Sequence, residues 1–136
     1  MPQIETLDVS VPRANAKGVM DSFFAKREVT GPFPGMIVIH EIFGLNDNIR
    51  QISREFAEQG YAALAVDLFS NRNRAICMMQ IFSGMLFRPL NNSMLADLNS
   101  AFDFLKQTPG VDADRIGAVG FCMGGAYALQ MAITAK

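Results

Sequence analysis

The residues whose types and spacing could do chemistry are gathered in Gly120-Phe121-Cys122-Met123-Gly124-Gly125. The segment follows a short apolar strand, residues 115–119, and runs into a small-residue helix, residues 126–132. Strand, sharp Gly-x-Cys-x-Gly turn and helix together have the layout of a nucleophile elbow. A nucleophile on so tight a turn is held in a strained conformation, and side chains two residues to either side would collide. Glycine at Gly120 and Gly124 removes those collisions. The turn lifts the Cys122 sulfur above the sheet and sets it at the N-terminus of the helix. There the dipole and the free N–H groups favour the thiolate. A buried cysteine in an ordinary βα turn would carry the same six residues, so the elbow reading draws on two further segments upstream.

The first is His40-Glu41-Ile42-Phe43-Gly44-Leu45, which follows the β-branched run Met36-Ile37-Val38-Ile39. In an α/β sheet this loop leaves the carboxyl end of a buried strand, beside the elbow. Acyl transfer needs two backbone N–H groups aimed at the developing oxyanion. Met123, the residue after the nucleophile, offers one and Ile42 the other. Glu41 at the same rim brings a carboxylate near the thiol, where it can hold a proton on the sulfur or take it away. The second is the apolar strand of residues 61–66, closed by Asp67-Leu68-Phe69.

The positioning elements follow from periodicity. Residues 4–11 and 18–26 alternate well enough to form an antiparallel N-terminal hairpin. Gly31-Pro32-Phe33-Pro34-Gly35 is a turn. Residues 36–40 and 61–66 are continuous apolar runs, the pattern of strands buried on both faces. A helix over 47–59 places Ile49, Ile52, Phe56 and Ala57 on one face and ends at Gly60. A helix over 93–107 carries the stripe Leu95, Leu98, Phe102 and Leu105 and ends at Pro109-Gly110. Asp112 and Asp114 read as turn residues before the elbow strand. A short helix over 75–85 is expected inside the segment 70–92. The order predicts a single α/β domain over residues 1–136 with a mainly parallel sheet and an N-terminal antiparallel hairpin.

Composition excludes several classes. The chain has 136 residues, half of them apolar and 18% charged, with net charge -1. That suits one domain with a real core, and no basic stripe suggests a nucleic-acid partner. The most apolar window, residues 75–90, is too short to span a bilayer and contains Gln80, Gly84 and Arg88. Two cysteines without a CxxC pair suggest neither a disulfide framework nor a zinc site. No metal or cofactor is expected. The N-terminus lacks the pattern of a signal peptide, and the expected location is a reducing cytoplasm, where a nucleophilic thiol persists.

Taken in order, His40-Glu41-Ile42-Phe43-Gly44-Leu45-Asn46, the strand from Gly60 to Phe69, and Gly120-Phe121-Cys122-Met123-Gly124-Gly125 resemble the dienelactone hydrolase family of α/β-hydrolases from about residue 17 onward. The resemblance implies an α/β-hydrolase fold and esterase or lactonase chemistry with Cys122 as nucleophile. It implies that Glu41 contacts the resting thiol and is displaced when substrate binds. The family's type reaction is hydrolysis of 4-carboxymethylenebut-2-en-4-olide to maleylacetate, a step of aromatic degradation. Family enzymes bind a substrate carboxylate with arginine. Arg74, in the loop after the second buried strand, is the candidate here, with Arg72 beside it; solvated surface charge is the competing reading for both. Cys77 reads as a small buried hydrophobe.

The family triad continues with Asp and His after the elbow, and these residues have no counterpart before Lys136. The one histidine, His40, belongs to the oxyanion-loop motif and is weighed as a general base only after that role. The strand of residues 116–119 is expected to be an apolar sheet edge, a feature natural sheets avoid. The sequence thus reads as the N-terminal portion of a longer protein, as a truncated gene product, or as a chain that self-associates through that edge. Two functions follow: a cysteine hydrolase acting on a small-molecule lactone or ester, or a catalytically incomplete homologue whose remaining role is assembly or none.

Overall fold

The computed structural model describes residues 3–14, 18–40, 44–70 and 93–120, together with the isolated positions Met79, Leu129 and Ala132. Strands β1 (Ile4–Pro12) and β2 (Val19–Arg27) pair antiparallel from Ile4↔Arg27 to Pro12↔Val19. They form the hairpin that the alternation predicted. β1 is the outer edge, and its Leu7 side chain is exposed.

The chain then enters β3 (Phe33–Ile39), helix α1 (Asp47–Glu58), β4 (Ala62–Val66), helix α2 (Ser93–Lys106) and β5 (Val111–Gly120). The sheet order is β1-β2-β4-β3-β5. β3 pairs parallel with both β4 and β5, while β2 joins β4 antiparallel. The sheet is therefore mixed, with its parallel part where the continuous apolar runs placed it.

Alternation along the strands divides the core into two layers. Ile37, Ile39, Leu64 and Val66 face α2 and pack with Leu95, Leu98, Ala101 and Leu105. Val38, Ala63 and Ala65 face α1 and pack with Ile49 and Ala57. The alanines on that face let α1 lie close to the sheet. Truncating a buried leucine such as Leu98 or Leu105 to alanine costs about 2–5 kcal/mol in cores of this kind. On α1 the buried face is Ile49, Ser53 and Ala57, with Ile52 and Phe56 at its margins.

The ends of α1 explain its length. Asn46 caps the start, its side-chain oxygen accepting from the Ile49 N–H at 3.1 Å. At the other end Gly60 has φ +99°. Its N–H donates to Ala57 O, and the Tyr61 N–H reaches back to Phe56 O. This is a Schellman closure, and the Phe56 and Tyr61 rings meet edge-to-face at 5.7 Å beside it.

Two expectations change. The strand expected from Arg115 begins at Val111, and the turn read at Asp112–Asp114 is a bulge within it. Pro34 pairs with Asp112 and the next residue, Gly35, with Ile116. The Asp112 carboxylate organises the bulge by accepting from Arg115 Nε at 2.7 Å and from the Asp114 N–H at 3.0 Å. The Arg115 hydrogen bond, followed by that from Asp114, holds the Asp112 carboxyl below its ordinary value. Phe102, expected in the buried stripe of α2, is only partly buried, and Ala101 takes the core position. The helix expected over 75–85 lies outside the described residues except for Met79, which is helical and exposed. β5 forms the edge of the described sheet, as the sequence led us to expect.

Candidate active site

Three parallel strands finish in one row. Ile39 of β3 pairs with Val66 of β4 on one side and with Gly120 of β5 on the other. From β3 the chain crosses through α1 to β4, then returns through α2 to β5 on the opposite flank. The order of the sheet thus reverses at β3, and ligands of open α/β sheets bind outside the carboxyl ends of strands at such a reversal. The loop beginning at His40 and the segment beginning at Phe121 leave the sheet from register-paired residues. Neighbouring strands lie about 4.8 Å apart.

His40, the first residue past β3, is fully buried. Its Nε2 accepts the Leu68 N–H at 3.0 Å and lies 3.7 Å from Asp67 Oδ1. The first distance is a hydrogen bond and the second is not. A ring nitrogen that accepts an N–H carries no proton, so the neutral imidazole holds its proton on Nδ1. The ring also leans on Phe69, centroid to centroid 4.9 Å. His40 Nε2 is committed to the backbone and is not poised as a general base.

The residues after β4 form the wall that His40 touches. Asp67 Oδ1 accepts the Phe69 N–H at 3.0 Å, and the Ser70 N–H closes onto Asp67 O at 3.1 Å. Asp67 is therefore a turn residue. Behind the turn lies a charged pair that the sequence reading missed. Arg13, just past β1, meets Asp97 of α2 at 2.8 Å, with both side chains 3% exposed. The Arg13 guanidinium also donates to Ser70 O at 2.7 Å and Leu68 O at 3.3 Å, and Asp97 Oδ1 accepts the Ala14 N–H at 3.0 Å. An aspartate set between Leu95 and Leu98 in an apolar stripe was the available signal, since an acid there is buried and must be paired.

The other candidates, Glu41, Ile42, Arg74, Cys122 and Met123, lie outside the described residues, as do Arg72 and Cys77. The row at Val66, Ile39 and Gly120 places the points from which the two motif segments depart, not their side chains. Two surface hollows among the described residues lie elsewhere. One is between the hairpin and α1, lined by Asp8, Ser10, Asp21 and Arg50, and the other is at the amino end of the sheet near Thr30 and Gly110. Among the described residues no cluster of histidine, cysteine and acidic side chains could hold a metal ion, and no helix is long and apolar enough to cross a membrane.

Residues 20–136 match the model of the dienelactone hydrolase family. The chain belongs to the dienelactone hydrolase family. It is 33% identical over 121 residues to a Methylorubrum extorquens protein named "Putative carboxymethylenebutenolidase", covering 87% of this chain and 41% of that one. A dienelactone hydrolase-like promiscuous phosphotriesterase from metagenomic libraries superimposes with a TM-score of 0.81 at 30% identity, over 97% of this chain and 55% of that one. A Pyrobaculum calidifontis esterase, at 19% identity and TM-score 0.69 over 98% of this chain and 41% of that one, shares the α/β-hydrolase fold. The relatives are hydrolases, and this dienelactone hydrolase family chain spans about half of their length or less.

Proposed function

We propose that this family member cleaves a lactone or carboxylic ester through a covalent intermediate on Cys122. The observation that carries the reading is the Ile39↔Gly120 pairing, which starts the Glu41-Ile42 loop and the Cys122 turn side by side at the sheet reversal. The Cys122 thiolate attacks the carbonyl carbon. The N–H groups of Ile42 and Met123 receive the oxyanion. The carbonyl re-forms as the C–O bond to the leaving alkoxide breaks, the alkoxide takes up the proton that Glu41 received from the thiol, and a thioester remains on sulfur. Glu41 takes the thiol proton as substrate arrives. Water attack on the thioester then returns the free thiol and the acid. The reading extends to the family's type substrate, 4-carboxymethylenebut-2-en-4-olide, with Arg74 as the candidate to bind its carboxylate.

A second reading is favoured by the commitment of His40. The 136 residues contain one histidine, and its Nε2 accepts a backbone N–H. Deacylation needs a base to activate water, and the thioester formed by these residues alone therefore accumulates. Incubating the chain and Cys122→Ala with a chromogenic short-chain ester separates the readings. Sustained release lost in Cys122→Ala supports the full hydrolase. A burst of at most one equivalent supports acylation without turnover, and equal release by both proteins rejects the cysteine mechanism.

A further inference from the structure

We infer that His40 and the turn after β4 form a latch that fixes the end of β3, the point from which the segment bearing Glu41 and Ile42 departs, and that the Arg13–Asp97 pair anchors the latch from behind. The inference rests on the proposed function only for what the loop does; the latch itself is read from contacts.

The described residues on either side of positions 41–43 both face the same turn. On the near side, the buried His40 ring accepts the Leu68 N–H at 3.0 Å and packs on Phe69. On the far side, Gly44 is buried at φ +78°, and a Cβ added there would stand 3.5 Å from both Asp67 Oδ1 and the Phe69 ring.

The turn is held independently of the loop. Asp67 N–H donates to Asp21 O at 3.0 Å, and the Asp21 N–H donates to Ser70 Oγ at 2.8 Å, tying the turn to β2. Arg13 grips the carbonyls of Leu68 and Ser70 while Asp97 holds the guanidinium. The Leu68 peptide is thus engaged on both sides, with its N–H given to His40 and its C=O taken by Arg13. A path of hydrogen bonds runs from α2 through Arg13 and Leu68 to His40 at the end of β3.

An oxyanion donor works only within a few tenths of an ångström of its place, and removing one costs about 10²–10³-fold in rate. His40 is in these terms a positioning residue: it acts through the loop and carries no proton of the reaction. Glutamine can accept the Leu68 N–H with its amide oxygen, whereas leucine fills the space and leaves that N–H without an acceptor.

The test uses the 136-residue chain, its His40→Gln and His40→Leu variants, and two readouts. The first is the imidazole nitrogen spectrum, in which the sole histidine gives one unambiguous set of signals. The expected result is a neutral ring protonated at Nδ1 with Nε2 as acceptor; a ring protonated at Nε2 overturns the latch whatever the activity. The second is the rate of Cys122 acylation by a chromogenic ester against pH. His40→Gln is expected to keep the wild-type rate and pH profile, and His40→Leu to fall by about 10²-fold. A His40→Gln variant that loses as much as His40→Leu, or whose pH profile changes shape, overturns the positioning role. If His40→Leu does not fold, the glutamine variant and the nitrogen spectrum still decide. Absence of any Cys122 adduct in the wild type rejects the hydrolase reading, and the spectrum then decides the latch alone.

Discussion

Replacing Arg13 with methionine keeps most of the side-chain volume and deletes the guanidinium from a site where it is 3% exposed. Three things are lost together: the ion pair to Asp97 and the hydrogen bonds to Leu68 O and Ser70 O. An exposed ion pair would contribute about 0–1 kcal/mol. Here the remaining Asp97 charge stays buried, and breaking a buried pair from one side costs about 3–5 kcal/mol. Domain stabilities are about 5–15 kcal/mol, so the loss is a large fraction of the total. For a chain of this size it corresponds to roughly 10–20 °C in Tm. Asp97→Leu costs a similar amount, because it strands the arginine and leaves the Ala14 N–H without its carboxylate acceptor. The double variant Arg13→Met/Asp97→Leu removes both charges. It remains below wild type because Leu68 O, Ser70 O and Ala14 N–H lose partners. It loses less than the sum of the singles, by a coupling of about 1–3 kcal/mol. The chain contains no tryptophan, so urea unfolding is followed by far-ultraviolet circular dichroism. A cost of less than about 0.5 kcal/mol for Arg13→Met, the size of an ordinary surface change, would refute the reasoning. Strict additivity of the pair would refute it as well.

Further outcomes test the fold around the site. In Gly31→Ala the new Cβ would stand 2.5 Å from Gly110 O, a backbone atom that accepts the Phe33 N–H at 2.7 Å. A side chain could rotate away but this carbonyl cannot, so a loss of about 1–3 kcal/mol is expected in urea unfolding, and a neutral result would show that the strand ends yield. Asp112→Asn removes the acceptor that draws in Arg115 at the β5 bulge. The folded carboxyl sits below its ordinary value of 3.8, so its contribution is present above that value and disappears as pH falls through the lowered one. The variant is therefore expected to be less stable than wild type at neutral pH and equal to it in strong acid. A difference that persists in acid would assign the effect to packing instead.

Much of the scaffold was legible because its signals are local. The β-branched run at residues 36–39 and the alanine-rich run at 62–66 have no exposed face, and only a strand covered on both sides accommodates that. Gly60 announced the end of α1 through its need for positive φ. The site was legible in part. The motifs at His40 and Gly120 lie far apart in the chain, and only the pairing of β3 with β5 shows that they start side by side. The bulge at residues 112–116 was read as a turn because Asp112 and Asp114 favour both, and register is set by tertiary pairing with Pro34 and Gly35. Least legible was the Arg13–Asp97 pair, whose partners are 84 residues apart and belong to no periodic pattern. His40 was read for its chemistry, whereas burial and the Leu68 N–H give it a structural task.

The central claim is that Cys122 is the nucleophile. Intact-protein mass spectrometry of the 136-residue chain after brief exposure to an activated short-chain ester tests it most directly, with peptide mapping to locate the adduct. The account predicts a single acyl group on Cys122, absent from Cys122→Ala and with Cys77 unmodified. An unmodified Cys122, or acylation spread equally over Cys77 and lysines, would contradict it.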